Sequence, residues 1–174
     1  MRYFVAIDVN DQVKERIVKL QQELSALIDG PLTPPQNLHF TLKFLGELNT
    51  TQVDNVSKIL SHLTYTPLNI NLTSVGTFPS STFVRVVWVG APELYNLQKA
   101  VCDALISFGK EESIIPHLTI ARVTNVKNKE NLNAFLKRHE NMGFGTFTVS
   151  ALKLKKSTLT AGGPIYEDVT RYDF

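Results

Sequence analysis

Cys102 is the only cysteine in the chain, which excludes an internal disulfide and a thiolate metal cluster. No run of residues is long and apolar enough to span a bilayer. The N-terminus opens on an alternating segment rather than a signal-peptide pattern. A cytoplasmic protein without a membrane partner is the default expectation. Excess charge is also scarce: the formal net charge of 174 residues is +2, too small to mark a nucleic-acid wrapper, so any polyanion contact must be local. A Walker-type glycine-rich loop is missing, and so is a serine nucleophile elbow. The length fits one domain over residues 1–174, or one domain made of two similar lobes. Such a chain buries roughly 70% of its extended surface and folds without a metal or a disulfide.

What is present is a repeated alternation of strand and helix signals. Arg2–Val9, rich in β-branched and aromatic residues, reads as a buried strand. Asn10 and Asp11 can cap a helix with the stripe Val13, Ile17, Leu20, Leu24 and Leu27, which Gly30-Pro31 stops. An irregular stretch containing Pro34-Pro35 delivers the chain into a strand at His39. Thr51 to Asp54 has capping-box-like spacing and opens a helix along Val53, Val56, Leu60 and Leu63. Leu68–Val75 alternates as a half-exposed strand, and Gly76 to Ser81 reads as a turn.

The second half repeats the programme. A strand covers Phe83–Val89, and Pro92 marks a helix start with the stripe Leu94, Leu97, Val101 and Leu105, closing near Gly109. A strand follows at His117, then a helix marked by Leu132, Phe135 and Leu136 and ended by Gly143, then a long strand over Phe147–Lys155. A hairpin-like turn at Leu159–Pro164 precedes a closing strand to Phe174. The order βαβαβ thus occurs twice with one strand added, the signature of a duplicated unit. The expectation is an α+β protein of two similar lobes related by a pseudo-twofold axis. Its approximate halves are 1–80 and 81–174, with equivalent strands facing one another across a groove.

The chemistry sits on the second strand of each half. In Asn37-Leu38-His39-Phe40-Thr41-Leu42-Lys43-Phe44-Leu45-Gly46-Glu47, strict alternation puts Leu38, Phe40, Leu42 and Phe44 on an apolar face and His39, Thr41 and Lys43 on the other. Pro116-His117-Leu118-Thr119-Ile120-Ala121-Arg122 repeats the His-x-Thr pattern. A lone strand histidine is usually a hydrogen-bonded structural residue. Two in equivalent places, drawn from only four in the chain, point to a site. Paired imidazoles suit acid–base work near neutral pH. Threonine hydroxyls beside them can donate to phosphoryl oxygens and stabilise charge as it builds.

Lys43 and Arg122 are the candidate cations. Alternation sets Lys43 beside His39 but Arg122 opposite His117, so Arg122 reaches the groove only where its strand ends, twists or bulges. Neither motif contains an acidic residue, and two histidines with hydroxyls lack the ligands of a stable zinc site; no metal and no cofactor is expected. His62 and His139 fall near helix ends and are expected at the surface. Cys102 reads as semi-buried and Trp88 as core. Lys153, Lys155 and Lys156 read first as a solvated strand face and second as an RNA-backbone contact.

The paired motifs resemble the signature of the two-histidine (2H) phosphoesterase superfamily. The finer pattern resembles its bacterial and archaeal RNA 2′,3′-cyclic phosphodiesterases, historically named 2′-5′ RNA ligases. Besides the two motifs, the matching pieces are Arg2 to Ile7, Gly76-Thr77-Phe78-Pro79, Arg85 to Gly90 and Ser157 through Tyr166. The resemblance implies antiparallel sheets lining a central cleft with helices outside. It also implies metal-independent hydrolysis of RNA 2′,3′-cyclic phosphate to a 2′-phosphate end, with minor, reversible, ATP-independent 2′-5′ joining of tRNA halves. By the same resemblance His39 is the proton donor and His117 the proton acceptor, while Thr41, Thr119 and Arg122 hold the phosphate. The residues themselves do not choose which histidine is the acid. The implied partner is RNA with 2′,3′-cyclic phosphate ends, tRNA halves among them, acted on by a monomer. A non-catalytic RNA- or nucleotide-binding module using the same cleft is the alternative; it would bind saturably and release no product.

Overall fold

The computed structural model describes residues 1–111 and 113–174. β1 (Arg2–Asp8) runs into α1 (Asp11–Ser25), whose first turn is capped by the Asn10 side chain accepting from the Val13 amide at 2.9 Å. β2 (Ile28–Asp29) and a 3₁₀ turn at Pro35–Asn37 lead to β3 (His39–Glu47). α2 (Thr50–Ser61) begins two residues earlier than the Thr51 spacing predicts. Asn49 is its cap, and the Gln52 side chain answers on the Asn49 amide at 3.0 Å, a complete capping box.

β4 (Leu68–Pro79) then runs straight through the expected turn at Gly76. A Cβ at Gly76 would lie 2.2 Å from the Trp88 ring, so glycine here admits an indole rather than a bend. β5 (Val84–Gly90), α3 (Tyr95–Ala104), β6 (His117–Arg122), β7 (Asn125–Val126) and α4 (Lys129–Arg138) follow. The predicted long strand is broken at Ser150 into β8 (Gly143–Val149) and β9 (Ala151–Thr160), and β10 (Gly163–Asp173) closes the chain.

Eight strands form one sheet in the order β10-β9-β1-β3-β6-β5-β4-β8, and β2 pairs with β7. Every pairing in the sheet is antiparallel. The sheet has a seam at its centre, where β3 and β6 share a single register pair, Phe40 with Leu118. Four strands lie on each side, and the sequence halves 1–80 and 81–174 do not map onto them. β4 belongs to the first half yet pairs with β5, while β9 belongs to the second yet pairs with β1. Each repeat thus lends a strand to the other side. Consequently the two motif strands lie side by side at the seam instead of facing across a groove.

The helical stripes are buried as their spacing predicts. Val13, Ile17, Leu20 and Leu24 of α1, and Leu97 and Val101 of α3 with the flanking Leu94 and Leu105, join one apolar core with Val5, Phe40, Leu118 and Leu154. α1 packs toward β6 and β8, and α3 toward β3. Each helix therefore buttresses the motif strand of the opposite repeat.

Candidate active site

Both motif strands carry a bulge at the same offset from their histidine. Thr41 pairs with Ala6 and Lys43 with Val5, which leaves Leu42 as an extra residue. On the other side Thr119 pairs with Trp88 and Ala121 with Val87, which leaves Ile120 extra. A bulge inverts the alternation beyond it. Arg122 is thereby turned onto the His117 and Thr119 face, and Phe44, its counterpart, onto the face of His39 and Thr41. Phe44 is 51% exposed, and both residues line a cleft of about 830 Å³ with the two His-Thr pairs.

Lys43 is displaced by the same event. It is 4% exposed, and its ammonium donates to the Lys110 carbonyl at 3.3 Å. The expectation that Lys43 joins the anion-facing row is therefore corrected: the Leu42 bulge sends it to the core side. Replacing Lys43 with Met should lower thermal stability while leaving kcat/KM near the wild-type value. Calorimetry beside steady-state kinetics checks both halves of that statement.

The bulges are held by matching devices. Gln21 on α1 donates to the Ile120 and Thr33 carbonyls, each at 2.8 Å, and Cys102 on α3 donates to the Leu42 carbonyl at 3.3 Å. Gly30 and Gly109 both have positive φ, +131° and +72°. A Cβ on either would strike a backbone carbonyl, that of Arg122 at 2.1 Å or of Phe44 at 2.0 Å. The sequence pattern marks these two glycines as helix stops, but α1 and α3 end before them at Ser25 and Ala104. Their role is to let a loop press on the strand just past each bulge.

The imidazoles are oriented alike. His39 Nδ1 lies 2.7 Å from the Asn37 carbonyl and His117 Nδ1 lies 2.7 Å from the Ile115 carbonyl. A carbonyl only accepts, so each Nδ1 carries the hydrogen and the lone pair of the neutral ring is on Nε2. His39 Nε2 is 3.1 Å from Thr41 Oγ1. Aromatic rings wall both histidines. Phe4 and Tyr166 lie 5.1 and 5.3 Å from His39, and Phe78 and Trp88 lie 4.9 and 6.2 Å from His117. Trp88 is thus half-buried behind the site rather than in the core.

Burial pushes the His39 imidazole down to about 4; the hydrogen bond to Asn37 opposes this, and the Lys155 charge adds to it. In the free cleft His39 is therefore neutral at physiological pH. Burial raises the Tyr166 phenol against the opposing charge of Arg122. Lys153 and Lys155 are not a solvated face. Both pair with Asp8, at 2.8 and 3.0 Å, and with Asp168. Burial alone would raise the Asp8 carboxyl, but hydrogen bonds from Lys153 and Lys155 overcome it and hold the group below its usual value. Lys156 pairs with Glu167 at 3.2 Å. His139, expected at the surface, is 5% exposed, with Nδ1 donating to the Phe135 carbonyl at 2.8 Å and its ring against Phe135 and Phe144.

The family model for LigT-like phosphoesterases matches the chain twice, over residues 7–88 and 89–166. The chain belongs to this family. The double match falls on the two repeats that the bulges, glycines and oriented imidazoles display. An RNA 2′,3′-cyclic phosphodiesterase of Methanocaldococcus jannaschii is 38% identical over 99% of this chain and 100% of its own length. A protein of the same name from Archaeoglobus fulgidus is 35% identical over 99% and 100%. A crystal structure from Thermus thermophilus superposes with a TM-score of 0.81 at 24% identity, covering 99% of this chain and 97% of that one, which shows the shared fold.

Sequence reading misses Phe44 and Arg2, which line the cleft, and Gln21, which holds the Ile120 bulge behind it. Alternation assigns Phe44 to the apolar face, although its offset from His39 equals that of Arg122 from His117. Arg2 opens a stretch that matches the family pattern but is given no role by it, and Gln21 carries no motif.

Proposed function

We propose that this protein hydrolyses RNA 2′,3′-cyclic phosphate ends to 2′-phosphates, with His39 as acid and His117 as base. The observation that carries the reading is the pair of Nε2-presenting histidines, each two residues before a threonine, in one cleft that holds Arg122 and, among the described residues, no carboxylate. His117 Nε2 takes a proton from water as the water oxygen attacks phosphorus. The bond from phosphorus to the 3′ oxygen breaks, and His39 Nε2 delivers a proton to that oxygen. Thr41, Thr119 and Arg122 stabilise the charge on the non-bridging oxygens. The donor set of two imidazoles and two hydroxyls would leave a metal under-ligated, which supports chemistry without one. The names of the full-length relatives support the substrate class.

His39 begins neutral, so it must take up a proton from solvent as the anionic substrate binds. The phosphate's negative charge offsets the desolvation that depressed the imidazole, and protonation frees Thr41 Oγ1 to donate to phosphate. Without ligand, the His39 ring should titrate with a midpoint of about 4. A bound phosphate monoester should move that midpoint upward. NMR of the ring checks both; an unmoved midpoint would count against His39 as the acid.

No helix among the described residues is long and apolar enough to cross a membrane. The reading extends to a cytoplasmic monomer acting on ends such as those of tRNA halves, with reversible 2′-5′ joining as a minor reaction. Incubating a cyclic-phosphate-ended oligonucleotide with excess chelator and identifying the product end group tests the whole proposal. A 2′-phosphate is the expected product. Saturable binding with no product would identify a binding module instead.

A further inference from the structure

Register fixes the layout of the cleft along its strands. β3 and β6 are antiparallel with Phe40 opposite Leu118, so Phe44 and Arg122 lie at opposite ends of the His-Thr quartet. Arg122 has its end to itself, beside the Pro31 to Thr33 loop, where its amide donates to the Pro31 carbonyl at 3.0 Å. At the other end Phe44 pairs with Phe4, and Arg2 stands beyond it, opposite Glu47 and Ser157. Arg2 lines the cleft and is exposed, and among the described residues its side chain makes no hydrogen bond or ion pair. Its cross-strand neighbour Glu47 does not pair with it.

Phe44 is exposed by the Leu42 bulge, and its ring lies 6.2 Å from Phe4, which in turn lies 5.1 Å from His39. Along β1, Phe4 (opposite Phe44) and Arg2 follow Ala6 (opposite Thr41) at two and four residues, so at roughly 3.3 Å per residue the Phe44 row lies about 7 Å and the Arg2 row about 13 Å from the Thr41 row. An aromatic platform followed by an unpaired guanidinium is the arrangement that takes a base and then a phosphodiester. The cyclic phosphate uses neither, since the quartet and Arg122 already supply its donors and charge. A core aromatic would not be half exposed, and a structural arginine would have a partner.

We propose that the Arg2 end of the cleft is a second nucleotide subsite. Phe44 stacks the base, and Arg2 holds the phosphodiester, of the nucleotide on the 5′ side of the cyclic phosphate. This chain therefore prefers an oligonucleotide end to a cyclic mononucleotide. The inference rests on the phosphodiesterase reading above and specifies its substrate.

The test compares a dinucleotide ending in a 2′,3′-cyclic phosphate with the matching cyclic mononucleotide, for wild type, Arg2→Gln, Phe44→Leu and Phe44→Trp. Wild type should favour the dinucleotide by about tenfold or more in kcat/KM. Arg2→Gln and Phe44→Leu should each erase most of that preference through KM, the mononucleotide falling far less, while Phe44→Trp retains it. Arg2→Gln should also flatten the salt dependence for the dinucleotide by about one phosphate contact. Equal handling of the two substrates by wild type overturns the proposal, as does an equal loss on both substrates in the variants. Calorimetric Kd values for the same ligands report the same ratio, so a preference in Kd without turnover would sink the catalytic reading and leave the subsite standing.

Discussion

Replacing His39 or His117 with Ala should each lower kcat by about 10²–10⁴-fold, the usual worth of a positioned acid or base. Both Nε2 atoms enter one cleft because both Nδ1 atoms are tied to the carbonyl two residues upstream, so alanine removes a pre-oriented group. The two losses are separable. With sulfur in place of the bridging 3′ oxygen, the leaving group needs no proton. His39→Ala should recover much of its loss on that substrate, and His117→Ala should not. The reverse pattern would exchange the roles. The free-state electrostatics make the outcome informative, because an imidazole held down to about 4 by burial is neutral at neutral pH and can serve as the acid only after binding has raised it. Undiminished turnover in both single variants would remove the histidines from the mechanism.

The quartet and the duplication are legible because two signals survive any local irregularity: residue identity in the two motifs, and the order of strands and helices around them. What the sequence conceals is phase. Alternation is a reliable guide only along an unbroken ladder, and Leu42 and Ile120 each break theirs. Alternation therefore places Lys43 in the site and Phe44 in the core, the inverse of what the bulge makes of them. The remedy is present in the chain. Carried over to His39, the offset that Arg122 needs from His117 lands on Phe44. The lobes are concealed for another reason: strand exchange between repeats leaves no local mark, since β4 and β9 have the same pattern whichever side they join. Lys153 and Lys155 mislead because their partners, Asp8 and Asp168, are distant along the chain and become neighbours only through β1, β9 and β10.

Phe40→Ala should cost about 3–5 kcal/mol of stability, the range for deleting a buried phenyl ring. Phe40 is 1% exposed and sits at the one register pair that joins β3 to β6 among the described residues, so further ladder pairs across the seam do not compensate there. At roughly 2–4 °C per kcal/mol for a chain of this size, the midpoint of thermal unfolding should drop by about 10 °C. Activity should fall as well, even at temperatures where the variant is fully folded. His39 and Thr41 flank Phe40 on β3, and the ring holds that strand in register with the strand bearing His117 and Thr119. Phe135→Ala is the control. Phe135 is equally buried but lies on α4 against His139, so it should give a comparable loss of midpoint with kcat retained. Retained kcat in both variants would mean that the seam contributes stability alone, and that each histidine is positioned by its own strand and the helix behind it.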